Sequence, residues 1–519
     1  MTKHEASLKN IMNKRKATLE KLESMGIHPF KYTKYERTHQ ISQIVLRFSK
    51  IQPAEKLEYE IVKIAGRIRS IRSHGKATFV DLEDFSGRIQ LYFTQDVLGE
   101  KNYKVVNLLD EGDFIGVQGF IFKTHKGELS VWVKNFDILA KALRPLPSEW
   151  FGLKDVEIRY RQRYVDLLMN PKVRETFLIR SKFIELLRHK LTKHGFIEVE
   201  TPVLQSIAGG ANAKPFVTYH NSLGINLYLR IATELFLKRL LVGGFEKVFE
   251  IGPDFRNEGI DTKHNPEFTM MEFYWAYADY EDNMKLTEEL YSSIVKEIKG
   301  SYKFVYQGKE IDFSMPWKKI TMEQALKEYA NIDVSEKNEE QLRKIAKNNK
   351  IELKENITRG EIIGVLFEEL VQDKLINPTF VIDHPVELCP LAKKKKNNPK
   401  IIERFEVFVA GNEIVNAYSE INDPFDQKKR FEEQSLKRAK GDEEAHPFDK
   451  DYIRALEYGM PPATGHGLGI DRFVMLLTDS PSIRDVILFP TLRPEETIEI
   501  FGDEISDKKE KNVKKKKKK

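Results

Sequence analysis

Cysteine is nearly missing from this chain: Cys389 is the only one in 519 residues. A single thiol excludes intrachain disulfides and any zinc site built on cysteines, suits a reducing compartment, and reads as buried packing. Long apolar runs are missing too. None approaches the ~20 residues of a membrane helix, and the opening MTKHEASLKN has no apolar core of a secretory leader, so a cytoplasmic protein is expected. Net charge is weak, +6, and the overall field does not announce a nucleic-acid binder. The glycine-rich stretch GHGLGIDRFVML, residues 465–476, follows neither the G-x-G-x-x-G order of dinucleotide folds nor the G-x-x-x-x-G-K-[ST] order of phosphate loops. A nucleotide would have to be held some other way.

What is present is a soluble globular composition, 41% apolar and 32% charged, on a chain too long for one core. Charge is unevenly spread. Lys3, Lys9, Lys14, Arg15, Lys16, Lys21, Lys31, Lys34 and Arg37 face four glutamates in the first forty residues, and nine of the last twelve residues are lysines. The spacing predicts a basic helical extension over 1–58, with a solvated face that could neutralise phosphates, and a lysine-rich tail over 503–519 kept open by its own repulsion. Between them, 59–144 alternates in five short strands separated by glycine-bearing turns, which suits a small closed barrel. A proline-rich hinge at 145–168 leads into the largest region, 145–502, where 291–400 carries helical spacing (Leu342, Ile345) and a T-x-x-E cap at Thr358 and Glu361. The basic run KKKKNNP, 393–399, could face RNA or water.

Three segments of the large region carry chemistry. In FRNEGIDTKHNPEFTMME, 255–272, Arg256 and Glu258 would alternate onto one face of a strand, a fork for phosphate beside an acceptor for an amine. His264 is a further phosphate partner, Phe268 an aromatic plate, and Glu272 an anion awaiting a cation. An isolated Arg-x-Glu is more often a salt-bridged hairpin; the other segments argue otherwise. In 465–476 three alternating glycines allow close backbone approach, and Arg472 would open an apolar helix with its guanidinium over a ligand. In GFIEVETPVL, 195–204, glycine ends a helix that runs from about Thr176 with Phe183, Ile184, Leu187 and Leu191 on one side, and a strand then runs to Pro202.

Taken in order, these segments resemble the three signature motifs of class II aminoacyl-tRNA synthetases. Longer stretches, among them YLRIATELFLKRLLVGGFEKVFEI (228–251), HNPEFTMMEFYWAYADY (264–280) and RFEVFVAGNEIVNAYSEINDP (404–424), resemble the lysyl-tRNA synthetases over nearly the whole chain. There are departures: Tyr418 stands where bacterial members tend to carry phenylalanine, and Ile207-Ala208 replaces Ile-Pro. The resemblance implies an α+β multidomain protein, with an OB-fold anticodon-binding barrel and a catalytic domain built on an antiparallel sheet flanked by helices. It also implies a homodimer.

The implied reaction is ATP-dependent activation of L-lysine, followed by transfer to tRNA(Lys), with Mg2+ as cofactor. Arg256 would grip the α-phosphate and the lysine carboxylate. Phe268 and Arg472 would sandwich adenine, Glu258 would accept from its amino group, and His264, Asn265 and Gly469 would complete the ATP site. Glu406 and Glu413 are hard oxygen ligands suited to magnesium, on strands joined by a hairpin at the AGN turn. Glu234 and the Gly210 carbonyl would hold the α-amine, Asn416 the carboxylate, and Tyr274 with Glu420 the ε-ammonium, with Tyr418 over the methylenes and Glu272 alongside. On the barrel, Phe79 and Gln90, with Arg67 and Arg69 nearby, would meet the anticodon. The same three motifs serve aspartyl and asparaginyl enzymes, but an aspartate side chain would need a cation where this chain offers carboxylates. Two other classes stay open: a lysyl transferase modifying a translation factor, which would lack the barrel that 59–144 supplies, and a silent RNA-binding relative, which should have lost Arg256, Glu413 or Arg472, all present here.

Overall fold

The computed structural model describes residues 3–147, 155–354, 357–442 and 444–494. The lysine-rich tail and the middle of the hinge lie outside the described residues. The chain divides into two compact units, one holding residues 1–152 and the other residues 153–493.

In the first unit, β1 (Lys56–His74), β2 (Ala77–Glu83), β3 (Arg88–Thr94), β4 (Phe114–Lys123) and β5 (Leu129–Ala140) close into a barrel in the order β1-β2-β3-β5-β4. Alternation does the sorting: along β2, Thr78, Val80 and Leu82 turn inward while Phe79, Asp81 and Glu83 stay on the outer face. Helices α1 (Lys3–Ser24), α2 (Ile41–Phe48) and α3 (Gln95–Val106) are built into this unit, because Leu22, Ile41, Ile44, Phe48, Leu98 and Tyr103 belong to the barrel's apolar core. Lys9, Lys14, Lys16 and Lys21 are exposed as the charge pattern suggests, but Arg15 is not. Its guanidinium donates to the carbonyls of Ala142 (2.8 Å) and Arg144 (3.0 Å).

The second unit is built on eight strands: β6 (Ile197–Glu198), β7 (Lys247–Phe255), β8 (Glu267–Ala276), β9 (Lys318–Thr321), β10 (Thr379–Ile382), β11 (Arg404–Val409), β12 (Asn412–Ser419) and β13 (Ala463–Gly469). Their order is β9-β10-β11-β12-β13-β8-β7-β6, antiparallel except for the pair at each end. The main helices, in chain order, are α4 (Pro171–Lys193), α5 (Glu234–Val242), α6 (Tyr280–Lys299), α7 (Met322–Ala330), α8 (Glu339–Asn348), α9 (Arg359–Leu370), α10 (Pro424–Ala439), α11 (Lys450–Glu457) and α12 (Ile470–Thr478). Helices α4, α6 and α12 cover one face of the sheet, packing Phe183, Leu290 and Phe473 against Phe249, Phe273 and Phe405. Helix α5 covers part of the other face, with Leu237 and Leu241 beside Val248 and Ala276.

Local signals behave unevenly. Helix α4 starts at Pro171, five residues before the expected Thr176, since proline at the first helical position costs no hydrogen bond. Gly195, at φ +85°, ends it. The strand expected over 195–204 shrinks to Ile197–Glu198, the two residues that pair with β7. Within 291–400, α7, α8 and α9 are helical, with the Thr358–Glu361 capping box at the start of α9, but β9 and β10 from the same stretch extend the main sheet. The basic run near 393–399 lies in a hairpin rather than a free loop. Lys393 donates to Asn422, Lys394 is 3.7 Å from Asp426, and Lys395 pairs with Asp383.

Candidate active site

Strand register assembles the site. Glu406, Asn416, Gly467 and Glu272 stand in one row across β11, β12, β13 and β8, and Arg404, Tyr418, Gly465 and Tyr274 in the next. Residues two apart on a strand share a face, and this is the face away from α4, α6 and α12. A cavity of about 440 Å³ lies over it, lined by every expected ATP- and lysine-site residue except Glu420. Gly467 leaves the floor open, while Gly465 makes room for its neighbours: a Cβ there would lie 2.1 Å from Glu420 Oε1 and 2.5 Å from the Tyr274 ring.

One end of the cavity is aromatic and cationic. The Arg256 guanidinium lies 5.0 Å from the Phe268 ring centre. Arg256 and Glu258 are not on a strand, however. Strand β7 ends at Phe255, one further bond from Arg256 N–H to the Pro266 carbonyl (2.9 Å) closes the ladder, and Glu258 N–H turns back to the Arg256 carbonyl (2.8 Å). Both side chains still reach the cavity. Arg472, at the start of α12, donates to the Glu413 carbonyl oxygen at 3.0 Å. His264 is half exposed and held by the Asp261 carboxylate at 2.9 Å. Asn265 is buried and donates to the Glu267 carbonyl at 2.5 Å. Gly469 pairs with Met270 and precedes α12. Below the cavity Asp471 knots the elements together, accepting from Arg180 of α4 (2.6 Å) and from the Thr269 amide of β8 (2.6 Å).

Glu406 and Glu413 flank the turn Ala410-Gly411, whose two positive φ angles, 49° and 75°, suit a tight hairpin. Burial would raise Glu406, but Arg404 and the nearby His384 overcome it and hold the group down at about 2. Glu413 is raised, first by burial and then by the Glu406 charge. Two carboxylates of which one crowds the other fit a hard divalent cation that keeps its remaining positions for water or phosphate. Among the described residues no cluster of three or more such ligands occurs.

The other end of the cavity is acidic. Burial, then the charges of Asp254 and Glu234, push Glu272 up to about 8. Its carboxyl accepts from Tyr274 Oη at 3.2 Å and from the Thr233 amide at 3.4 Å. Glu234 accepts from Tyr418 Oη at 2.7 Å and from Lys238 Nζ at 2.5 Å. Glu420 is fully buried behind the wall and pairs with the same Lys238. Gly210, at φ +93°, packs against Glu234, and Asn416 accepts from Arg404 at 3.1 Å, which leaves its amide hydrogens as the free donors. Arg404 and Lys238 escaped the sequence reading. Arg404 could have been found by the same alternation that relates it to Glu406, whereas Lys238 sits in an apolar helix where only its four-residue distance from Glu234 signals a pair.

The barrel presents a second surface. Phe79 stacks on Tyr92 with centroids 4.7 Å apart, Tyr92 meets Trp132 edge-on at 4.9 Å, and Lys56 lies 4.4 Å over Trp132. In the adjacent row Gln90 donates to Ser130 at 3.0 Å. Arg67 and Arg69 are not beside this platform. Arg67 lies 4.1 Å over Phe114 and Arg69 is buried against Glu83 at 3.2 Å. The bulge in β1 between Ile68 and Ser70 shifts the register, so Arg72 is the residue paired with Phe79, and its side chain bonds Asp81.

Comparison with known proteins agrees with this geometry. The family described as tRNA synthetases class II (D, K and N) matches residues 155–493, and the OB-fold nucleic acid binding domain matches 62–139. Curated proteins named lysine--tRNA ligase match almost end to end. That of Carboxydothermus hydrogenoformans is 55% identical over 94% of this chain and 99% of its own length. Those of Thermoanaerobacter pseudethanolicus (53%, 94% of this chain, 97% of that protein) and Clostridium acetobutylicum (51%, 95% of each) are similar. The chain belongs to the lysine--tRNA ligases of class II. Its barrel is the OB-fold of that family, and its sheet the antiparallel core of the class II catalytic domain.

Proposed function

We propose that the protein joins L-lysine to ATP as lysyl-adenylate and transfers the lysyl group to the 3′ end of tRNA(Lys). The observation that carries this is the cavity's polarity: Arg256, Phe268 and Arg472 at one end, and Glu234, Glu272 and two tyrosine hydroxyls at the other. A ligand with two ammonium groups and a carboxylate fits between, its carboxylate toward Arg256 and the Asn416 amide, its α-amine toward Glu234 and the Gly210 carbonyl. The ε-ammonium lies toward Glu272 and Tyr274, with Glu420 adding negative potential from behind.

The lysine carboxylate is already a nucleophile, so no protein base is needed. Its oxygen bonds to the α-phosphorus as pyrophosphate leaves, and the protein's part is alignment and charge stabilisation. Adenine lies between Phe268 and Arg472, with Glu258 at its amino group, and His264 and Asn265 attend the phosphates. Magnesium held by Glu406 and Glu413 would neutralise phosphate charge. The terminal ribose hydroxyl of tRNA then attacks the lysyl carbonyl and AMP leaves. The barrel platform of Phe79, Tyr92 and Trp132, with Gln90 and Arg72 at its border, reads the anticodon by stacking. We place the enzyme in the cytoplasm as a homodimer; among the described residues no helix is long and apolar enough to cross a membrane.

The test is ATP–pyrophosphate exchange with each of the twenty amino acids, followed by charging of tRNA(Lys). Exchange confined to lysine supports the proposal. Charging of a different amino acid, or exchange without any tRNA charging, overturns it.

A further inference from the structure

Lys238 is a fully buried cation inside a site expected to bind cations. Lysine is almost never buried to this degree unless paired, and here the pairing is elaborate. Its ammonium donates to Glu234 at 2.5 Å, one helical turn back, and also pairs with Glu420. Three tyrosine rings surround it, with centroids 5.6 Å (Tyr418), 5.9 Å (Tyr452) and 6.0 Å (Tyr274) away. Burial alone would strip its proton, but Glu234 and Glu420 more than offset that and keep it charged.

Three carboxylates, Glu234, Glu272 and Glu420, crowd this end of the site, and like charges in a dry pocket suppress one another's ionisation. Once an arriving cation has displaced the proton of Glu272, one resident ammonium against three carboxylates leaves two negative charges, the complement of a ligand with two ammonium groups. Geometry adds a second effect. Glu420 is wedged between Lys238 at one oxygen and the Cβ-free edge of Gly465 at the other, so its distance from Glu234 is fixed.

We infer that Lys238 is a positioning residue for amino-acid selection: it fixes the Glu234 and Glu420 carboxylates, and so sets both the depth and the charge of the pocket that measures the lysine side chain. This rests on the proposed lysine-activating function. Lys238 itself touches no reacting atom. Without it Glu420 loses the cation that holds its carboxylate in place and offsets its burial, and so no longer presents a fixed charge to the ligand's tip.

The experiment is pyrophosphate exchange on full-length Lys238→Met, with lysine, ornithine and norleucine, against the unmodified protein. Breaking a buried pair is costly. The expected result is a KM for lysine raised about ten- to a hundredfold with the KM for ATP unchanged, and a preference for lysine over norleucine reduced by a similar factor. An unchanged lysine KM and preference, or a parallel rise in the KM for ATP, overturns the inference. If Lys238→Met does not fold, Glu420→Gln is compared with Lys238→Met/Glu420→Gln, where both charges are gone. Adding Lys238→Met should then change the preference for lysine over norleucine by no more than about twofold, because the α-amine held by Glu234 is common to both, and a full tenfold further loss of preference would mean Lys238 does not act through Glu420. Absence of lysine-dependent exchange in the unmodified protein would sink the function itself, a result separable from every variant outcome.

Discussion

Tyr418 carries a hydroxyl that donates to Glu234 Oε2 at 2.7 Å. A hydrogen bond to a charged acceptor is worth ~1.5–3 kcal/mol, but Glu234 keeps Lys238 when the hydroxyl is lost. Tyr418→Phe should therefore raise the KM for lysine about three- to tenfold and leave that for ATP alone, as read by pyrophosphate exchange. Glu272 makes a prediction in pH. Raised to about 8, mainly by burial, it holds a proton at neutral pH in the empty site. A cation prefers the ionised form, so lysine binding expels that proton and affinity falls as pH drops below about 8. Calorimetry at neutral pH in two buffers of unequal ionisation enthalpy should report close to one proton released, and Glu272→Gln should remove both the release and the pH dependence. Arg256, Glu258, His264, Phe268, Glu272 and Arg472 were legible from their own residue types, whereas the rest of the cavity lining rested on the resemblance to lysyl-tRNA synthetases. Lys238 was not, since burial and pairing across 182 positions to Glu420 leave no local mark.

At the scale of elements, the glycines of β13 do most to shape the site. They were legible as places of close approach, but not whose approach. The structure gives Gly465 to Glu420 and Tyr274, where a Cβ would collide, whereas a Cβ at Gly467 would meet the Met270 side chain at 3.4 Å, an ordinary contact. Gly465→Ala would set a methyl within 2.1 Å of Glu420 Oε1, which neither strand can relieve without breaking the ladder to β8 and β12. Loss of lysine-dependent exchange by about two orders of magnitude is expected, with ATP binding by equilibrium titration retained; near-normal exchange would show that the carboxylate can move. Helix and strand bounds were less legible. Arg256 and Glu258 reach the cavity from a turn beyond β7, and β9 and β10, from a stretch read as helical, are held by partners 23 to 61 residues away, which no local pattern reports. Arg67 and Arg69 failed because they lie beside Glu83, four residues along β2 from Phe79, and the bulge after Ile68 puts Arg72 instead of Ile71 opposite that ring.

For the whole molecule, the two units have separate apolar cores, so damage to the barrel's outer face need not reach the catalytic cavity. Phe79→Ala removes one plate of the aromatic platform, a stack worth ~1–3 kcal/mol to a bound base. Charging of tRNA(Lys) should fall while tRNA-independent pyrophosphate exchange stays unchanged. Equal losses in both assays would mean that Phe79 serves the barrel's folding instead.

The Asp471 carboxylate also bears on motion. It is bonded to α4 and to the amide preceding Met270, and it lies one residue before Arg472. Local opening of any one of these elements would strand a buried charge. The Thr269 amide is therefore expected to exchange its hydrogen with solvent only when the catalytic unit unfolds as a whole, among the slowest amides of the chain. Phe268 and Arg472, the two plates of the proposed adenine slot, are anchored on either side of that bond, so the slot should keep its width while the loops around it fluctuate.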